Sequence, residues 1–140
     1  MNGREAAVLR GGLAFLAVAH VAVGLWQLLA PHSFFGVLWV NTLPPYNEHL
    51  MRDLGSMVLG QAVLMAAAAH ALEPRLVSVA LAVELTFAVP HLVFHSGHSG
   101  QLAAWETLIL LGLLGMAVLL PAWLLWLSAR VRTARPAPRP

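Results

Sequence analysis

The stretch MAAAAHALEPRLVSVALAVEL, residues 65–85, decides the fold. Two apolar runs meet at Glu73-Pro74-Arg75, and a proline ends or restarts a helix because it has no N–H and crowds the residue before it. The first run extends back to Leu50 and the second forward to His95. Each has about the 20 residues that a ~30 Å hydrocarbon layer requires. The stretch therefore reads as a tight turn between two membrane helices, over about 50–72 and 76–95.

Working outward, a further apolar run occupies about 6–30 and stops at Pro31, and another occupies about 107–127, with Pro121 as an expected kink near its end. The expected fold is all-α: a four-helix transmembrane bundle forming one domain over residues 1–128, followed by a basic, Pro-rich and unstructured tail over 129–140. Composition agrees, because 59% of the 140 residues are apolar and only 10% are charged, too few for a water-soluble globule of this size. A signal peptide is the competing reading of the first run. The run from Leu13 to Ala30 exceeds a typical signal core, so we expect it to remain as a membrane anchor.

The chain has no lysine, and its eight cations are arginines. Arg4, Arg10, Arg75, Arg130, Arg132, Arg135 and Arg139 fall on one side of the expected bundle, which the positive-inside rule makes cytoplasmic along with both termini. The basic balance reflects topology, and no nucleic-acid partner is expected. Trp123 and Trp126 fall at the inner interface and Trp26, Trp39 and Trp105 at the outer one, as aromatic belts do. The outer side holds residues 31–49, whose FFGVLW core suggests an amphipathic segment at the interface, and residues 96–106. A bacterial plasma membrane is the expected location, with the polar site on its non-cytoplasmic side.

The chemistry lies in three polar stripes. At ~100° per residue, Glu84, His91, His95 and His98 share one face of the third span; His49, Arg52, Asp53, Ser56 and Gly60 share one of the second; His20, Gly24 and Gln27 share one of the first. Charged or imidazole groups facing lipid cost a few kcal/mol, so the stripes are expected to turn inward or toward water. With His32 from the first outer loop, five histidines (32, 49, 91, 95, 98) and three carboxylates (Glu48, Asp53, Glu106) are expected to line one outward-facing pocket.

His91 and His95 stand at i, i+4, the spacing that puts two imidazoles on one helical face for a metal. His49, Asp53 and Glu48 are the candidate further ligands, in a His/carboxylate set suited to copper, zinc or iron, with haem less expected. Arg52, Tyr46 and Glu106 are candidate cofactor-binding residues: Arg52 to position an anion or steady Glu106, Tyr46 to donate a hydrogen bond at the entrance. Arg52 is expected to pair with Glu106 or Glu48, and Asp53 with His91 or His95, on the reasoning that each needs a partner on another helix. Near mid-membrane Glu84 is expected to bond His20. His70 reads as interfacial, while Gly55, Gly60, Gly112, Gly115 and the alanines 66–69 read as close-packing positions. With no cysteine there is no disulfide, thiolate ligand or catalytic thiol, and no phosphate-cradling loop, haem-attachment motif or nucleophile elbow occurs.

The span order, with NEHLMRDLGSMVLGQAVL at 47–64 opening the second helix and VPHLVFH at 89–95 closing the third, resembles small four-span bacterial membrane proteins of the DoxX-like kind. That resemblance implies a membrane redox partner, and oxidoreductase chemistry rather than hydrolysis if the chain is an enzyme. It supplies no site residues. Two functions are therefore expected: a pocket binding a metal ion or redox cofactor, or a non-catalytic accessory subunit of a larger membrane complex, with the bilayer and either that complex or further copies of the chain as partners.

Overall fold

A computed structural model of the chain describes residues 3–41 and 45–133. Four long helices are each long and apolar enough to cross a membrane: α1 (Gly3–Leu29), α3 (Glu48–Ala71), α4 (Pro74–Gly97) and α5 (Ala104–Thr133), with the short α2 (Pro31–Phe35) between the first two. This is an integral membrane bundle. The short helix lies in the FFGVLW region expected at the interface, and it starts on Pro31, whose fixed φ suits a first helical turn.

The turn at 72–74 shows why the chain reverses there. Leu72 adopts φ 48°, ψ 28° and donates its N–H to the Ala68 carbonyl at 2.9 Å, the left-handed closure that ends a helix. Glu73 is then the N-cap of α4: its carboxylate accepts from the N–H groups of Arg75 at 3.0 Å and Leu76 at 2.6 Å, while Pro74 fills the first helical position. These two donors, helped by the positive Arg75, hold the Glu73 carboxyl below the usual carboxylate range.

The best-packed core belongs to the end of the bundle that carries the chain termini. Leu9, Leu13, Leu16 and Ala17 of α1 meet Met65, Ala68 and Ala69 of α3, Val77, Ala80 and Leu81 of α4 and Leu124 of α5. The opposite, distal end carries the α1–α3 connection. Buried residues there, Gln27, Met51, Gly55, Ala88 and Leu110, lie outside that shared core. Small residues permit the tightest contact: a Cβ on Gly55 would stand 2.8 Å from the Gly24 carbonyl oxygen. Gly60, Gly112 and Gly115, expected to pack closely, have nothing near the position a Cβ would take. Their small size serves no contact among the described residues.

Two expectations need adjustment. α5 continues to Thr133, so the basic segment expected to be unstructured from 129 begins as helix. No proline intervenes before Pro136, and the Arg130 guanidinium sits 4.5 Å over the Trp126 ring, one turn back. Residues 134–140 of the expected tail lie outside the described residues. A second proline, Pro90, lies inside α4, where it removes the N–H that the Thr86 carbonyl would otherwise accept.

Candidate functional site

The deepest polar contact joins α1 to α4. His20 Nε2 lies 2.8 Å from Glu84 Oε2, with the two side chains 14% and 5% exposed, and His20 Nδ1 lies 2.7 Å from the Leu16 carbonyl oxygen one turn back. This is the pairing expected from the sequence, and its cause is simple. Among residues 11–29, 54–69, 76–90 and 107–129, which lie within the four spans, His20 and Glu84 are the only ionisable side chains. Each would be costly against lipid, and the two meet as a buried pair, although Glu84 Oε2 receives no aligned hydrogen bond among the described residues.

At the distal end the expected pocket divides into separate units. Arg52 Nε donates to Glu48 Oε1 at 2.9 Å, and Nη2 stands 2.8 Å from the same oxygen. Its Nη1 donates to the Leu28 carbonyl of α1. His49 Nε2 lies 3.3 Å from Asp53 Oδ2, again one turn away and largely exposed. Glu106 turns back on its own helix start, accepting from the Ala103 N–H at 2.8 Å. The expectation that Arg52 and Asp53 each need a partner on another helix is therefore corrected. Positions four apart on one helix face one another at no loop-closure cost, and Glu48 and His49 occupy them. Of the expected alternatives Arg52 takes Glu48, and Asp53 takes neither His91 nor His95.

His91 and His95 do come together, with ring centroids 4.6 Å apart. Their other ring contacts are also within α4: His91 stacks on Phe87 at 5.0 Å, and Phe94 touches His95 at 5.5 Å. Phe94 also stacks on His98, just past the end of α4, at 4.2 Å. Both imidazoles are half-buried. Among the described residues no three His, Asp or Glu side chains gather as a metal-ligand group, so the structure does not bring the α3 candidates His49, Glu48 and Asp53 to the α4 pair.

Tyr46 closes a small aromatic cluster with His32 at 5.3 Å and Phe35 at 5.2 Å. Its hydroxyl is buried and has no hydrogen-bond partner among the described residues. Desolvation pushes the Tyr46 phenol up, the Glu48 charge adds to this, and Arg52 opposes it.

One contact of the site was not anticipated, and one residue of the first polar stripe turns inward without finding a partner among the described residues. The Leu28 carbonyl is an Arg52 partner, and the signal for it was Pro31: α1 must end there, and carbonyls of a last turn seek donors beyond the helix. Gln27, only 8% exposed, keeps its Oε1 without a partner among the described residues. A groove of about 380 Å³ beside α1 and α3, lined by Ala17, Val21, Leu59, Ala62 and Val63 among others, is apolar and offers no ligand for a metal. Comparison with protein-family models, with curated proteins and with solved structures finds no match for this chain.

Proposed function

We propose that the protein is an accessory subunit that docks to a larger membrane protein through the distal half of α4. The observation that carries this reading is the His91–His95 pair. Two imidazoles sit inside a membrane span and, among the described residues, make their ring contacts within α4 alone. Polar groups at such depth ordinarily meet a protein partner or water. The carboxylates of this chain at the same end are engaged, Glu48 by Arg52, Asp53 by His49 and Glu106 by the Ala103 N–H. A different chain presenting carboxylates or carbonyls therefore complements the pair better than a second copy does. Open small residues at Gly112 and Gly115 give a partner helix room to approach the neighbouring α5.

The arginine distribution supports placing this distal end on the non-cytoplasmic side of a bacterial plasma membrane. The test is a photo-crosslinker at Val93, which is 65% exposed beside the pair. The expected product is one discrete heteromeric species, lost in His91→Leu/His95→Leu while the helical content is unchanged. Cross-links to lipid alone, or a product indifferent to the two histidines, would overturn the reading.

A second reading keeps the pair as metal ligands. Its support is the i, i+4 geometry with ring centroids 4.6 Å apart, which supplies two of the donors that copper, zinc or iron needs, the rest coming from the docked partner or water. Together with the DoxX-like layout this reading makes the complex a redox one. Titration of the purified chain with Cu(II), Zn(II) and Fe(II) tests it: binding lost in His91→Ala and His95→Ala supports it, and binding indifferent to both excludes it.

A further inference from the structure

The contacts of His20 determine where its protons are. The Leu16 carbonyl oxygen, 2.7 Å from Nδ1, can only accept, so Nδ1 carries a proton. Nε2 then faces Glu84 Oε2 at 2.8 Å. A bare imidazole nitrogen and a carboxylate oxygen at that separation would present lone pair to lone pair, and the buried Oε2 receives no aligned hydrogen bond from any described residue, His20 included. One further proton between them relieves that repulsion. It makes either an imidazolium against a carboxylate or an imidazole against a carboxylic acid, and the pair is neutral in both forms.

The surroundings differ in the two directions. Toward the termini, the side chains next to the pair on α1 and α4 are Leu13, Leu16, Ala17, Ala80 and Leu81, all members of the packed core. Toward the distal end, Gln27 lies two turns beyond His20 on the same face of α1, about 10 Å along the axis. It is 8% exposed with Oε1 unpartnered among the described residues. A buried amide oxygen of this kind calls for water. On α4, Glu84 is followed on the same face by His91 and His95. No other titratable or charged side chain occupies the middle of any span, on α1, α3, α4 or α5.

We propose that His20 and Glu84 form a proton-binding site, holding one proton between Nε2 and Oε2 and exchanging it with the distal side of the membrane by way of Gln27. Release passes the proton to water and leaves a neutral His20, still protonated on Nδ1, facing a Glu84 carboxylate, a net change of one negative charge. The two lone pairs then repel across the α1–α4 contact, so occupancy of the site is coupled to the closeness of the two helices.

The test uses the full chain in lipid bilayers, with nitrogen NMR of its histidine rings and the His20 signal assigned by its loss in His20→Gln. The expected spectrum has Nδ1 protonated and a second proton on Nε2 or shared with Glu84. Glu84→Gln, whose amide can donate to Nε2, should keep the fold and the Nδ1 proton but abolish the second proton. A neutral ring protonated on Nε2 alone, or a second proton that survives in Glu84→Gln, overturns the site. The direction is read in vesicles oriented with the help of Ser33→Cys, which gives this cysteine-free chain a single distal label. A pH step on the distal side should reach His20, and Gln27→Met should slow that response about tenfold, equivalent to ~1.4 kcal/mol of barrier. A response to the opposite side, or an unchanged rate in Gln27→Met, overturns the route.

Discussion

Gly24 and Gly55 bring α1 and α3 together backbone against backbone: a Cβ on Gly24 would stand 2.9 Å from the Gly55 carbonyl oxygen, and a Cβ on Gly55 would stand 2.8 Å from that of Gly24. Neither carbonyl can swing away without breaking its helix. Gly55→Ala should therefore force the helices apart and destabilise the fold by ~1–3 kcal/mol, the usual range for overpacking. Gly60→Ala, on the same helix with open space at its Cβ, is the control and should be neutral or stabilising by up to ~1 kcal/mol. Unfolding of the two variants in mixed micelles separates them, and equal losses would refute the close approach.

α1 makes no close backbone contact with α4 among the described residues, and the link between them is His20 with Glu84. Glu84→Ala removes one partner and leaves a buried imidazole, which should cost ~3 kcal/mol or more. Glu84→Gln keeps a hydrogen-bond donor for Nε2 and should cost less than half as much. Denaturation of the pair of variants by the same method checks the ordering, and Glu84→Ala tolerated as well as Glu84→Gln would show that the contact contributes little.

Much of this could be read from the sequence for an identifiable reason. Four apolar runs of membrane length leave few alternatives to four spanning helices, and a span with one carboxylate opposite a span with one histidine leaves each a single partner, which is why the pairing of Glu84 with His20 is legible in the sequence. At the distal end the options multiply. Arg52, Asp53, Glu48, His49 and Glu106 had several possible companions, and the choice depended on helix rotation and separation, which periodicity does not encode. Local pairing decided it: His49 with Asp53 and Glu48 with Arg52 need only one helical turn. Which glycines pack was equally hidden, because Gly55 and Gly60 lie on one helix and only the position of α1 distinguishes them.

Arg52 links the start of α3 to the end of α1 through two kinds of contact with different worth. Its ion pair with Glu48 joins half-exposed groups, 43% and 57% accessible, and Glu48→Ala should cost under ~1 kcal/mol. Its bond to the Leu28 carbonyl satisfies a helix-end acceptor from a charged donor and is worth ~1.5–3 kcal/mol. Arg52→Ala should thus exceed Glu48→Ala, and Arg52→Lys should fall between them, since a lysine cannot address both acceptors from one planar fork. If Glu48→Ala proves as damaging as Arg52→Ala, the ion pair rather than the carbonyl contact joins the two helices.

Glu73 offers a pH test outside the membrane spans. Its folded carboxyl lies below the usual carboxylate range because the Arg75 and Leu76 N–H groups bond its charged form. A depressed folded value means that the unfolded chain binds the proton more readily, so stability rises with pH through this window. The contribution is fully present above the ordinary carboxylate value and is lost as pH falls through the depressed one. Wild-type protein should therefore melt higher than Glu73→Gln at neutral pH, and the gap should narrow on acidification through that range. Because Glu73 is exposed, the measurement is best made at low ionic strength, where screening is least. A gap that stays constant from neutral to acid pH would mean the cap acts through its shape and not its charge, since Gln offers the same chain length with only one accepting oxygen.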